Sequence, residues 1–562
     1  MGTLGRRGSR TIVAGALLLL ALLVPLALAG CGTSTTESTQ NPGGGQGSSP
    51  KRGGSLTITF QSEARTVDPA IAWDLTGTVA EQLTYQTLLR YKAASGVAGT
   101  ALEPCVATEV PTTQNGGLTN GGKTYVFHIR QGVRFAPPVN RQVTAEDFKY
   151  SFERMMGLPQ APATYFYTEV VGATEFQAKK SKHISGVKVI DPGTLEIDLT
   201  QPDPAFLNAL TMWFCDFVPK EWVQKWGNSQ FGRHPLGTGP FMLENWTPGQ
   251  QLLLKRNPNY WEPGKPYLDE FKFVFSVTPS TALLRLKQGD VDMLGDNIPP
   301  ADVANVLASP QWKQSVQSQK MTANFYFYMN QQFKPFDNVK VRQALEWAID
   351  RDKLVKLQSG QASTTWQFFP DGMPGHEPGK QYYGYDPAKA KQLLAEAGYP
   401  SGFSTTLYSF NVDPEPKIAQ SVQNDLAAVG VKASLKLLDR DTFYTLAGTA
   451  NKTPCGIQDW WMDFPDPSDW VIPLASKSNA VTGGVDSAFW WSPVIEKMLT
   501  DSRTMSGQAR LQEYSKMQQY IMDQAPYVML SQPTMTTMSS KNVGGFYLHP
   551  VYWFDPVNYW RK

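Results

Sequence analysis

The most informative cluster of chemically capable side chains is Asp459-Trp460-Trp461-Met462-Asp463-Phe464-Pro465-Asp466-Pro467. Two adjacent indoles, a carboxylate and a rigid proline turn suit the wall of a cleft. Trp supplies large flat apolar area with few rotors to freeze. A carboxylate beside it can pair with the ammonium of a solute, and the pair strengthens as the local dielectric falls. The competing reading is an Asp that caps a turn beside core Trp residues.

Catalytic patterns are weak by comparison. The sequence has no G-x-S-x-G elbow and no H-E-x-x-H. Ser185-Gly186-Val187-Lys188 fits S-x-x-K, but the S-D-N and K-T-G elements that accompany it are missing. Gly237-Thr238-Gly239-Pro240 lacks the Lys-Ser/Thr that contacts phosphate in a P-loop and reads as a tight turn. Five scattered His and the spacing of Cys105, Cys215 and Cys455 match no zinc motif. No cofactor or metal is expected, and the chain does not read as an enzyme. A secreted hydrolase would need a nucleophile–base constellation that these residues do not supply. The three Cys read as small buried hydrophobes with room for one bridge, and three single pairings remain open.

The elements that must position the cluster span a long chain. At 562 residues it exceeds one ordinary core and calls for two to four lobes. A formal net charge of +2 makes no electrostatic case for nucleic acid. Aromatic residues are plentiful, with 16 Trp, 22 Tyr and 28 Phe.

The N-terminus speaks to the compartment. Arg6, Arg7 and Arg10 precede an uncharged run from Thr11 to Gly30, and the run ends in Leu28-Ala29-Gly30-Cys31. This resembles a bacterial lipoprotein signal, cleaved before a Cys that takes a lipid. An uncleaved membrane anchor is the alternative by length alone. Gly32 to Pro50 is almost wholly Gly, Ser, Thr, Gln, Asn and Pro. Such a tether buries no core, and its ends lie roughly 25 Å apart as a coil. Without residues 1–30, which hold three Arg and no acid, the formal charge becomes −1.

From Lys51 onward strands and helices mix. Residues 55–60, 125–130, 195–199 and 271–275 alternate apolar and polar positions and read as strands. Residues 77–89 look helical. Thr144 with Asp147 resembles an acidic capping box before Phe148, Phe152 and Met155. Asp386-Pro387 opens a helix that Gly398 closes. Val341, Leu345 and Ala348 share one helical face, and Leu511, Tyr514, Met517 and Ile521 another. The fold class is α/β or α+β, with no internal repeat.

Several segments taken in order resemble the family 5 extracellular solute-binding proteins, which serve dipeptide, oligopeptide and nickel importers. They are Gly53-Gly54-Ser55-Leu56 with Val67-Asp68-Pro69, then Lys123 to Phe135 followed by Thr144 to Phe148. Leu236 to Phe241, Arg256 to Trp261, Pro335 to Leu345 and Gly544 to Pro550 continue the match. It runs from about residue 51 to 555. One departure is Ala136-Pro137-Pro138-Val139-Asn140, where the family often has an acidic-glycine turn.

The resemblance implies an α/β type II periplasmic-binding-protein fold of three lobes. Lobe I combines residues 51–92, 200–323 and 529–562; lobe II is 93–199; lobe III is 324–528. The ligand cleft falls between lobes I and III, with hinge strands near 323 and 528. Residues 1–30 are the signal peptide, and 31–50 the lipidated Cys31 and tether.

In peptide-binding relatives the Asp of the W-x-x-D segment holds the peptide's α-amino group. That role carries over to Asp463, and the wall position to Trp460 with Trp461 beside it. Trp73, Asp74 and Leu75 fall where the family lines the facing side of the cleft. The expected function is capture of short peptides for a permease of an ABC importer, by a lipid-anchored monomer on the outer face of the cytoplasmic membrane. An oligosaccharide or a nickel chelate is the alternative solute, and an adhesin or signalling receptor on the same scaffold a further one.

Overall fold

Residues 49–562 are described by the computed structural model; the signal segment, Cys31 and nearly all of the tether lie outside them. Period-2 alternation builds the first sheet. Ser55–Thr59 lies between Glu270–Val274 and Met293–Leu294, and pairs with both in parallel. Gln251–Arg256 and Phe241–Thr247 continue the sheet antiparallel. The register sets Leu56 beside Phe271 and Ile58 beside Phe273, with Leu254 and Leu252 opposite, and all six are fully buried. One face of the sheet is therefore continuous apolar core.

A second sheet uses residues that lie, in sequence, between the first two strands of the first. Its strands are Leu118–Thr119, Thr124–His128, Thr194–Asp198 and Val187–Asp191, in that spatial order. Tyr125 faces Ile197 and Phe127 faces Leu195, again all buried. The helix Ala145–Gly157 packs on this sheet and opens with the expected capping box. The Thr144 N–H donates to Asp147 Oδ2 at 2.9 Å, and Arg141 clamps the same carboxylate at 2.8 and 2.6 Å.

The third sheet is the largest. Its order is Val316–Lys320, Tyr527–Met538, Ala323–Met329, Cys455–Trp461, Ser404–Phe410 and Lys432–Leu438, and Ala362–Thr364 also pairs with Tyr527–Met538. The helices Val339–Ala348 and Glu415–Ala428 present buried residues to it. Asp386 caps the helix Pro387–Glu396 through the Lys389 N–H, and Gly398 just beyond it takes the left-handed conformation at φ 92°. Fully buried Arg351 pairs with Glu346 and donates to the Met529 carbonyl, tying a helix to the long strand.

One helix ends earlier than the sequence reading of 77–89 suggests. It runs Leu75–Thr84, not to residue 89, and Leu89 begins the strand Leu89–Tyr91. The cause lies far along the chain. Gly239 donates its N–H to the Thr84 carbonyl at 2.9 Å. A Cβ at Gly237 would stand 2.3 Å from the Tyr85 ring, and one at Gly239 would stand 2.5 Å from the Thr84 backbone. The Gly-Thr-Gly turn thus docks where the helix would continue.

In place of an acidic-glycine turn, residues 136–140 close a loop in which Asn140 adopts φ 57°. Cys105, Cys215 and Cys455 are all free and buried, as small hydrophobes. Among the described residues no helix is long and apolar enough to cross a membrane.

Candidate functional site

The strand Cys455–Trp461 lies inside the third sheet, between Ala323–Met329 and Ser404–Phe410. Alternation sends Asp459 and Trp461 to one face and Trp460 to the other. Asp459 is occupied: it accepts from the Trp461 indole at 2.8 Å, from the Tyr444 hydroxyl and from Arg440 at 3.4 Å. Trp461 then packs at 4.6 Å from the ring of Trp553. Trp460 is buried, and its indole N–H donates to the Asp469 carbonyl at 2.8 Å.

Past the strand the chain bends through Phe464-Pro465 into the helix Ser468–Ala475. Asp466 fixes the bend. It accepts from the Ser468 N–H at 2.9 Å and holds Arg510 by two bonds of 2.6 and 2.9 Å. This aims Asp463 away from its own sheet. Asp463 Oδ1 accepts the Trp73 indole N–H at 3.2 Å, while its backbone N–H donates to Asp469 Oδ2 at 2.9 Å. Trp73 stands edge-to-face on Trp460 at 5.8 Å and on Phe214 at 5.9 Å. The Ala72 carbonyl accepts from Trp213 at 2.8 Å, which holds the Trp73 loop in place.

The structure therefore brings Trp73, Trp460 and Asp463 together, although 390 positions separate Trp73 from Asp463. It sets Trp461 on the opposite strand face. Asp74 caps the helix Leu75–Thr84 by accepting the Gly77 N–H at 2.9 Å. Leu75, half-buried in the first turn, packs against the core of the first sheet.

Two polar groups join the site that sequence reasoning missed. Asp469 lies six residues beyond Asp463, a spacing visible in the sequence. Tyr165 comes from a distant segment and carries no local signal. Asp463 Oδ2, Asp469 Oδ1 and the Tyr165 hydroxyl are all buried and without a hydrogen-bond partner among the described residues.

Burial raises the pKa of Asp463, against the lowering pull of the Trp73 hydrogen bond. Burial also pushes Asp469 well up, and the neighbouring Asp463 charge adds to it. Both carboxyls raise the Tyr165 hydroxyl after its own burial does. Two carboxyls this close retain a proton between them. Buried carboxyl oxygens beside aromatic rings are the kind of acceptors and faces that a cation bearing several N–H donors uses.

The mixed α/β body of linked sheets is that of the type II periplasmic-binding class. The family model described as "Bacterial extracellular solute-binding proteins, family 5 Middle" matches residues 101–482, and the chain belongs to that family. It is 30% identical over 440 residues to the glutathione-binding protein GsiB of Salmonella typhimurium, spanning 77% of this chain and 82% of that protein. It is 29% identical over 459 residues to the dipeptide-binding protein of Escherichia coli K12, with the same shares of 77% and 82%. Among solved structures, the ABC transporter-associated periplasmic binding protein DppA from Helicobacter pylori, in complex with peptide STSA, matches with a TM-score of 0.79 at 25% identity, covering 91% of this chain and 99% of that one. The family and these relatives are binding proteins.

Proposed function

We propose that the protein captures short peptides and hands them to the permease of an ABC importer, with Asp463 holding the peptide's α-ammonium and Trp73 and Trp460 forming the wall around it. One observation carries this reading: Asp463 is only 7% exposed, yet among the described residues its carboxyl meets no arginine or lysine, only the Trp73 indole and the Asp469 carboxyl. A buried acceptor in that state costs free energy that an ammonium would offset. An oligosaccharide would want open indole faces. Trp460 instead presents itself edge-to-face to Trp73, and Trp461 is covered by Trp553.

Capture is by closure of lobe I (51–92, 200–323, 529–562) on lobe III (324–528), with hinges near 323 and 528. The continuity of one strand supports this: Tyr527–Met538 pairs with Ala323–Met329 in its first half and with Val316–Lys320 in its second, and Ser539 beyond it bridges Met293 of the first sheet. Cys31 carries the lipid that tethers a monomer to the outer face of the membrane, and the chain performs no catalysis.

Native mass spectrometry of ligand co-purified with gently isolated protein tests the solute class. Short peptides with free N-termini are expected. A glycan, or a ligand without an amine, would overturn the reading.

A further inference from the structure

A cavity of about 340 Å³ lies among the helix Leu75–Thr84, the hairpin Leu89–Tyr91 with Leu102–Pro104, and the C-terminal residues 552–558. Neither Asp463 nor Trp460 nor Trp73 lines it. Most of the charged groups on its walls are matched. Arg90 pairs with Glu103 at 2.7 Å and with Glu262. Lys265 reaches Asn558 at 2.6 Å, and Asp555 accepts from Tyr547 and Asn558, both at 2.5 Å.

Two are exceptions: Lys92, exposed and without an ion pair among the described residues, and Asp216. Asp216 lines the cavity, is 5% exposed, and accepts no hydrogen bond from any described residue. Behind it Glu81 is 0% exposed, with both carboxyl oxygens unpartnered. The remaining walls include Tyr85, Tyr91, Trp213, Tyr260 and Tyr552.

We propose that this cavity is a second binding site, which takes the ammonium or guanidinium end of an organic cation between its aromatic walls and Asp216. Aromatic faces attract a desolvated cation, and an unmatched buried carboxyl supplies the counter-charge. The volume suits a small ligand or one long side chain. Two sources share this chemistry: a free small amine, and the Lys or Arg side chain of a captured peptide. Trp213 lines the cavity and also anchors the Trp73 loop, so the two sites are neighbours. The side-chain source rests on the peptide-binding reading above; the free-amine source does not.

Calorimetric titration with n-butylammonium, butylguanidinium and 1-butanol tests the site in the wild type, in Asp216→Asn and in Asp463→Asn. The cations should bind the wild type at least about tenfold more tightly than butanol, the scale of one charged contact. Asp216→Asn should remove that preference while raising the melting temperature, because it deletes a buried acid that has no partner. Asp463→Asn should leave the preference intact. Equal binding of butanol and butylammonium to the wild type overturns the proposal even if a variant fails to fold, and so does an unchanged preference in folded Asp216→Asn.

Ala-Lys against Ala-norleucine then separates the sources. A preference for Ala-Lys that depends on Asp216 identifies the ligand side chain. Butylammonium binding that persists beside saturating Ala-Lys identifies an independent amine site. If neither dipeptide binds while butylammonium does, the peptide reading fails and the cation site stands.

Discussion

Asp463→Asn is the sharpest perturbation of the proposed peptide site. The amide keeps an oxygen at the Oδ1 position, so the 3.2 Å hydrogen bond from Trp73 survives and only the charge is lost. Asp463 is buried, so its pairing with an ammonium would be shielded from water. Removing one partner of such a pair leaves the other charge unmatched, at about 2–5 kcal/mol. That corresponds to about thirtyfold to several thousandfold in affinity. In the free site burial pushes the Asp463 carboxyl up to about 7. Ionising it near neutral pH therefore takes back part of the wild-type affinity. The assay is a double cycle by calorimetry: wild type and Asp463→Asn, each with a dipeptide bearing a free or an acetylated N-terminus. The variant should weaken the free peptide strongly and make little difference to the acetylated one, which should already bind the wild type poorly. A coupling energy near zero would take Asp463 out of the site.

The same pairing predicts a pH profile. The Asp463 carboxyl, raised to about 7 by burial, must lose its proton when an ammonium binds, so affinity should rise with pH up to that value and level off above it. It should fall again above about pH 8 as the peptide amine deprotonates. Titrations of an acetylated peptide should lack the rising limb, and a flat profile for the free peptide would contradict the pairing. Small-angle scattering should show a smaller radius of gyration with saturating dipeptide, and no change in scattering or Trp emission would remove the closure mechanism. Arg351→Met should destabilise the fold by about 3–5 kcal/mol in urea unfolding, because it strands fully buried Glu346; a loss below about 1 kcal/mol would show that the pair is dispensable. Cys31→Ala should abolish labelling by a clickable fatty acid, and unchanged labelling would sink the lipid anchor.

What could be read in the sequence divides along contact range. Two strands of each of the first two sheets, at 55–60, 271–275, 125–130 and 195–199, announce themselves by alternation, since residues such as Leu56, Ile58, Phe271 and Phe273 need only a neighbour at the same register. The capping box at Thr144 is equally local. The end of the helix at Thr84 is not, because a turn about 150 residues later imposes it. The site shows the same split. Trp460 and Asp463 stand out as a local motif, but the indole that meets them belongs to Trp73, and its place opposite them followed only from the family resemblance. Trp461 is adjacent to Trp460 in sequence, but adjacency within a strand puts the two on opposite faces. Tyr165 could not have been found at all, since nothing around it signals proximity to two distant carboxyls.

The buried acids also sort by whether an arginine meets them. Asp68 faces Arg154, Asp466 faces Arg510 and Glu346 faces Arg351. Each of these pairs ties together segments that must keep a fixed relation, and each carboxylate stays matched without help from a ligand. Among the described residues Asp463, Asp469, Asp216 and Glu81 face no arginine or lysine, and they occur as two pairs, each beside aromatic rings; Asp486, also buried without a cation, is instead satisfied by the Tyr527 hydroxyl and the Ala488 and Trp490 N–H groups. Burial is the main reason all four hold their protons more tightly than an exposed carboxyl does, and neighbouring acids add to it at Asp469 and Glu81. Nothing in packing requires an acid at these positions, since an uncharged isostere would fill the same space at lower cost. Under the proposed function, an acid kept in the interior without a cationic partner marks a place for a cation that arrives from outside. The α-ammonium of a peptide suits the first pair, and a longer organic cation among tyrosines suits the second. If both pairs proved silent toward cations, this sorting of the buried acids would lose its functional meaning.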